Sequence, residues 1–356
     1  MSVANATWWR ADFKLREPYT IAYETYDAAT NFFVRLVATD GTEGFGCAAP
    51  AEEVTGESTV GCAEALERMC GELTERGESA AASSADARRR SPAAAAAVDM
   101  ALTDLRAREL GLPVCSMLGG HPSHLPTSIT IGISSLGETR KQGKRFAREG
   151  FRALKVKGGA DPLLDAERIL ALRADLGPDM ELRFDANEGY GEASAVQFLR
   201  AVQPCVLSVF EQPCARGDTE ATAAVATELA MLGAARPALL LDEGAVTAEQ
   251  VAATTAATRA DGVVVKLMKC GGLVAAQHID RIAAAQGLRT MISCMDESAL
   301  AIAAGLHYAL AARRCTWIDL DGHLDLIDDP GAAAVILEDG LLRPLDAPGF
   351  GVSLTP

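Results

Sequence analysis

Ala153-Leu154-Lys155-Val156-Lys157-Gly158-Gly159 orders the rest of the chain. Two apolar residues lead into two lysines separated by a valine, and a glycine pair ends the run. In an extended strand alternate side chains share a face, so Lys155 and Lys157 point the same way. The same design recurs downstream. The strand in Arg183-Phe184-Asp185-Ala186-Asn187 closes on Asp185 and that in Val209-Phe210-Glu211 on Glu211. The strand in Leu240-Leu241-Asp242-Glu243 closes on Asp242, and that in Val264-Val265-Lys266 on Lys266. From Lys157 the successive charges follow at intervals of 28, 26, 31 and 24 residues, each about one strand plus one helix.

Eight β-like runs are predicted, at 128–132, 153–157, 181–185, 207–211, 238–242, 262–266, 289–294 and 316–320. Most are followed by helical patterning. Consecutive βαβ units imply a parallel sheet, and eight of them predict a closed α/β barrel of the TIM type. The rival open sheet lacks the G-x-G-x-x-G turn expected after a strand. Residues 5–49 read differently. Alternating, aromatic-rich runs at 7–13, 31–37 and 44–48 predict an antiparallel meander, with Asp40-Gly41 as a hairpin turn. Two helices follow, the second with Val98, Ala101, Leu102 and Leu105 on one stripe and a stop at Gly111 before Pro113. The Ala/Ser/Arg-rich stretch 78–92 between them reads as a solvated connection. This predicts a capping domain over 1–120, a barrel over 121–321, and a tail, about 322–356, that returns to the cap.

Composition narrows the function classes. Against 33 Lys and Arg stand 48 Asp and Glu, a net charge of −15. No positive field is available to displace counterions from nucleic acid or to hold an anionic membrane. At 49 % apolar and 23 % charged, the composition is that of a folded globular protein. A length of 356 residues exceeds one ordinary core. No transmembrane run or signal peptide is readable. Nine cysteines, an odd number without a C-x-x-C pair, read as reduced thiols in the cytoplasm. Trp8, Trp9 and Trp317 read as packing residues.

The strand-end charges carry the chemistry. Charged groups that close successive barrel strands gather at the C-terminal mouth, where barrel enzymes build their sites. Asp185, Glu211 and Asp242 form an all-oxygen set suited to Mg²⁺. Lysines flank it on both sides. Repulsion between neighbouring lysines and a nearby metal is expected to lower a lysine pKa toward that of a base. If a substrate carboxylate binds the ion, the enediolate formed by deprotonating the adjacent carbon is stabilised. Two lysines on opposite faces of that carbon permit racemisation or epimerisation.

On these motifs the chain resembles the enolase superfamily, muconate-lactonizing subgroup, over nearly its whole length. The resemblance implies a modified (β/α)₇β barrel with an α+β capping domain, a Mg²⁺ cofactor and a homo-oligomeric state. The K-x-K motif matches Lys155-Val156-Lys157. By the resemblance Asp185, Glu211 and Asp242 are metal ligands, Lys157 and Lys266 are the opposed acid/bases, and Lys155 supports the substrate carboxylate. Lys266-Leu-Met-Lys-Cys-Gly-Gly272 and Ile318-Asp319-Leu320-Asp321-Gly322 are most similar to the dipeptide epimerases. There the Asp-x-Asp, here Asp319 and Asp321, holds the free ammonium of a dipeptide. The implied activity inverts the α-carbon of the C-terminal residue by two-base proton transfer.

Departures from the pattern concern specificity. Relatives specific for a C-terminal glutamate carry an arginine near residue 24, whereas this chain has Glu24. Asp296 stands at the seventh strand end, and Glu52 and Glu53 lie in a cap loop. An acidic pocket favours cationic or neutral side chains over acidic ones. Glu188 after Asp-Ala-Asn and Gly244 after Asp-Glu also depart from the usual residues. The same scaffold also serves N-acylamino acid racemase, o-succinylbenzoate synthase and muconate cycloisomerase, which remain alternatives. A non-catalytic binding barrel is the alternative of a different class.

Overall fold

Alternating aromatic runs open the chain as a three-stranded antiparallel sheet of β1 (Val3–Thr20), β2 (Thr25–Ala38) and β3 (Glu43–Ala48). The computed structural model describes residues 3–22, 25–76, 85–233 and 236–355. Asp40-Gly41 forms the turn between β2 and β3. Gly41 takes φ +87°, and the Asp40 carboxylate accepts the Thr42 N–H at 2.9 Å. Trp9 stacks on Phe33 and Trp8 meets Phe32 edge-on, the packing role expected of them.

Four helices follow in the cap: α1 (Glu52–Thr55), α2 (Thr59–Arg76), α3 (Ala85–Arg90) and α4 (Pro92–Glu109). Part of the stretch read as a solvated link is therefore helical, while residues 78–84 of it lie outside the described residues. The single apolar stripe predicted for α4 is also too narrow. Its residues are buried from Pro92 to Leu105, because β2 and β3 pack on it from one side and helices of the barrel from another. Close approach requires small residues on both partners. A Cβ added at Gly46 would stand 1.9 Å from the Ala97 carbonyl oxygen.

After α5 (Val114–Met117) and the short β4 (Leu125–Pro126), the barrel strands run β5 (Ser128–Ile131), β6 (Ala153–Lys157), β7 (Glu181–Asp185), β8 (Val209–Glu211), β9 (Ala238–Leu241), β10 (Gly262–Lys266), β11 (Arg289–Ser293) and β12 (Cys315–Asp319). They pair in sequence order and in parallel. Helices α6 (Leu136–Arg148), α7 (Pro162–Leu176), α8 (Glu192–Val202), α9 (Thr219–Met231), α10 (Ala248–Thr258), α11 (Leu267–Cys270), α12 (Leu273–Gln286) and α13 (Ala299–Ala311) connect them. Among the described residues no α-helix follows β12, only a single 3-10 turn at Ala332–Ala334, which gives the (β/α)₇β order. The ring closes between β5 and β12. Thr127 pairs with Ile318, and the Leu320 N–H donates to Thr127 Oγ1 at 2.8 Å.

The tail returns to the cap by way of the barrel. The hairpin of β13 (Val335–Glu338) and β14 (Leu341–Pro344) pairs with β4. Beyond it the Phe350 N–H donates to Asp104 of α4 at 2.7 Å. Asp104 also accepts the Phe45 N–H of β3 at 2.9 Å, so one buried carboxylate ties helix, sheet and tail together.

Candidate active site

Strand register sets the chemistry side by side. Lys157 pairs with Asp185 and Asp185 with Glu211, while Lys266 pairs with Ser293 and Ser293 with Asp319. All of these lie at the C-terminal ends of their strands. Asp242 stands one residue past β9. Its N–H is taken by the Gln212 side chain at 2.8 Å, and Gln212 also receives the Gly244 N–H at 3.0 Å. Gln212 therefore shapes the turn that presents Asp242, a role its neutral side chain gave no signal of in sequence.

The three lysines engage the carboxylates directly. Lys155 Nζ bridges Asp185 at 3.1 Å, Glu211 at 2.9 Å and Asp319 at 2.9 Å. Lys157 donates to Asp185 at 2.8 Å, and Lys266 lies 2.8 Å from Asp242. Lys269, in α11, is a fourth lysine at the cluster and is buried, donating to the Asp242 carboxylate and, at 2.6 Å, to its carbonyl. Burial opposes the charged form of Lys155, but Asp319, Glu211 and Asp185 outweigh it and hold the ammonium well above its usual range. Lys266 is raised in the same way, chiefly by Asp242 acting against burial. For these two lysines the neighbouring carboxylates outweigh both burial and like charge. Burial also opposes ionisation of Asp185, yet Lys157 and Lys155 hold it down to about 2. Glu211 moves the other way, driven up by burial and by the charge of Asp185.

Among the described residues no three carboxylate, imidazole or thiol groups converge at ligating distance, because ammonium groups stand between the carboxylates. The donor set nevertheless suits a hard cation. Glu243 Oε2 and Asn187 Oδ1 are buried without a hydrogen-bond donor, while Glu211 Oε2 and Asp242 Oδ2 meet only lysine ammonium groups, Lys155 at 2.9 Å and Lys266 at 2.8 Å. Such oxygens are costly unless a cation or donor meets them. Burial and the Asp242 charge raise Glu243 to about 7. Asn187 and Glu243 sit one or two residues past the carboxylates read from sequence, and only the burial of their unpartnered oxygens marks them.

A cavity of about 760 Å³ lies over this cluster, walled by barrel mouth and cap. Lys155, Lys157, Lys266, Asp296, Asp319 and Asp321 line it, with Glu52 and Glu53 from the cap. Asp319 is spoken for: besides Lys155 it accepts Ser128 Oγ at 2.6 Å and Ser293 Oγ at 2.9 Å. Asp321 accepts the Thr130 N–H at 2.7 Å, and burial with the neighbouring Asp319 charge raises it to about 7. Asp296 accepts the Tyr19 hydroxyl at 2.8 Å across the cap–barrel junction. Glu24 lies outside the described residues. Burial pushes the Cys270 thiol up to about 12, and Cys294 is likewise raised, so neither is set up as a nucleophile.

Comparisons with known proteins agree with this geometry. Residues 4–119 match the mandelate racemase/muconate lactonizing enzyme N-terminal domain, and residues 138–356 the enolase C-terminal domain-like family. The chain is 37 % identical to an L-Lys-D/L-Arg epimerase of Methylococcus capsulatus over 99 % of each protein. It is 31 % identical to a hydrophobic dipeptide epimerase of Enterococcus faecalis over 96 % of each. The crystal structure of a Methylococcus capsulatus dipeptide epimerase complexed with Mg and the dipeptide L-Arg-D-Lys superposes with a TM-score of 0.87, at 36 % identity over 99 % of each chain. By fold, strand-end chemistry and matched domains, this chain belongs to the enolase superfamily, in its mandelate racemase/muconate lactonizing branch.

Proposed function

We propose that this protein is a Mg²⁺-dependent dipeptide epimerase that inverts the α-carbon of the C-terminal residue and favours dipeptides with cationic side chains. The observation that carries the reading is the placement of Lys157 and Lys266. Both line one cavity, and they approach it from different carboxylates, Asp185 and Asp242. A substrate carbon between them can lose its proton to one lysine and regain a proton from the other on the opposite face. Asp185, Glu211 and Asp242 would hold the ion, with Asn187 and Glu243 beside them. The chemistry a bound Mg²⁺ supplies is charge, which engages the carboxylates and acidifies the carbon next to the substrate's own carboxylate. Lys155, fixed by Asp319 and Glu211, offers its ammonium to that substrate carboxylate. Asp321, whose Oδ1 has only the weak Cys294 thiol at 3.9 Å, suits the dipeptide's free ammonium, with Asp319 behind it. Asp296, Glu52 and Glu53 give the cavity an acidic wall. The Methylococcus capsulatus L-Lys-D/L-Arg epimerase, and the Methylococcus dipeptide epimerase structure that holds L-Arg-D-Lys, support the cationic preference. Nine unpaired cysteines support a reducing, cytoplasmic setting, and no helix among the described residues is long and apolar enough to cross a membrane.

Proton NMR in D₂O over a dipeptide panel tests this reading. The C-terminal α-proton of Lys- and Arg-containing dipeptides should exchange while the residue changes configuration, with activity lost on chelation and restored by Mg²⁺. Lys157→Ala and Lys266→Ala should each fold and lose about 10²–10⁴-fold in rate. No exchange across the panel would refute epimerisation, and Ala-Glu as the best substrate would refute the cationic preference.

A further inference from the structure

Arg216, in the loop after β8, joins three elements that sequence keeps far apart. Its Nε and Nη2 grip the Glu188 carboxylate at 3.1 and 2.6 Å, and its own N–H donates to Glu188 as well. Its guanidinium continues into the cap, where Nη1 donates to the Val54 carbonyl at 2.8 Å and Nη2 to the Glu53 carbonyl at 3.1 Å. Those carbonyls belong to α1, whose terminal acceptors have no following turn to satisfy them. A planar fork serves a carboxylate and two carbonyls in one fixed arrangement, whereas a lysine ammonium is a rotating point charge that fixes no such geometry. Glu188 is itself held at φ +65°, a left-handed conformation that costs a non-glycine residue energy. It follows Asp185 by three residues, and Arg216 follows Glu211 by five, so the clamp grows from the loops of two candidate ligands. On its far side it grips the helix that carries Glu52 and Glu53 at the cavity.

We infer that Arg216, oriented by Glu188, is a positioning residue that fixes α1 so that Glu52 and Glu53 receive the cationic side chain of the substrate. This rests on the dipeptide epimerase reading. Uncharged dipeptides make no use of those carboxylates and are indifferent to the clamp. Truncating Arg216 therefore acts on binding of one substrate class and leaves proton transfer alone.

The test compares Arg216→Ala, Arg216→Lys and Glu188→Gln with the wild-type holoenzyme. Arg216→Ala should raise KM for Lys- and Arg-containing dipeptides about tenfold with kcat within about twofold, while both constants for uncharged dipeptides stay within about twofold. Glu188→Gln and Arg216→Lys should fall between. In a Glu52→Gln/Glu53→Gln background, Arg216→Ala should add no further loss of selectivity. Amide hydrogen exchange over residues 52–57, read without substrate, should rise about tenfold in Arg216→Ala. Equal losses on both substrate classes, a loss in kcat alone, or unchanged exchange over 52–57 would each overturn the proposal. Wild-type enzyme inert toward every dipeptide would sink the functional reading instead, and the exchange measurement would still decide whether Arg216 holds α1.

Discussion

Asp296 and Asp319 are both acids at barrel-strand ends, yet their partners give them different work. Asp319 accepts from Lys155, Ser128 and Ser293, and so anchors the lysine that faces the cavity. Asp296 accepts a neutral phenol from Tyr19, and burial raises its carboxyl to about 6. A raised carboxyl is neutral below that pH and anionic above it, so its attraction for a cationic side chain grows between about pH 5 and 7. The ratio of kcat/KM for Lys- or Arg-containing dipeptides to that for uncharged ones should climb over this interval. Asp296→Asn should flatten the climb. The uncharged substrates cancel titration of the cavity lysines, and a wild-type ratio independent of pH would show that Asp296 does not act on the substrate side chain. At this scale the sequence disclosed residue type and spacing, enough to nominate Lys157, Asp185, Glu211, Asp242 and Lys266. It did not disclose the roles of Gln212 or Asn187, because a polar residue near a strand end becomes informative only when its partner is known.

Two helices, α4 and α13, are enclosed on nearly every side, and periodicity is a poor guide to such elements. α13 carries one polar anomaly. His307 is fully buried, its Nδ1 accepts the Cys115 N–H at 3.0 Å, and its Nε2 has no partner. Burial lowers its pKa from 6.5 to about 4. As pH falls below 6.5 the unfolded chain takes up this proton while the folded one does not. The stability His307 contributes is whole above pH 6.5 and is lost as pH falls toward 4, on the order of 3 kcal/mol at the limit. Replacement by glutamine keeps an amide acceptor and removes the titration. The stability gap between wild type and His307→Gln in urea should therefore shift in favour of the variant from pH 7 to pH 4. A gap constant with pH would show that another group titrates. Element boundaries slipped for equally local reasons. β9 stops at Leu241 because the Asp242 N–H goes to Gln212 rather than to the ladder.

Across the whole molecule, the net charge of −15 is partly concentrated at the cavity, whose lining includes Glu17, Asp325 and Asp339 besides the acids named above. Acidic walls draw cationic substrates in, and mobile ions screen that pull over a Debye length of about 10 Å at 0.1 M salt. For dipeptides with two cationic side chains, kcat/KM should fall several-fold between about 0.02 and 0.5 M salt, and much less for uncharged ones. Equal salt dependence would show that the acidity is plain surface charge. The barrel and its strand-end charges were determined by the sequence alone, because apolar runs and their period are local properties that each strand carries in itself. The pairing of those charges was decided only by the tertiary structure. Closing the ring sets Ser128 against Asp319, and docking the cap brings Tyr19 to Asp296 across 277 residues of chain. Which carboxylate meets a lysine, a phenol or nothing depends on distances that exist only once the ring has closed and the cap has docked.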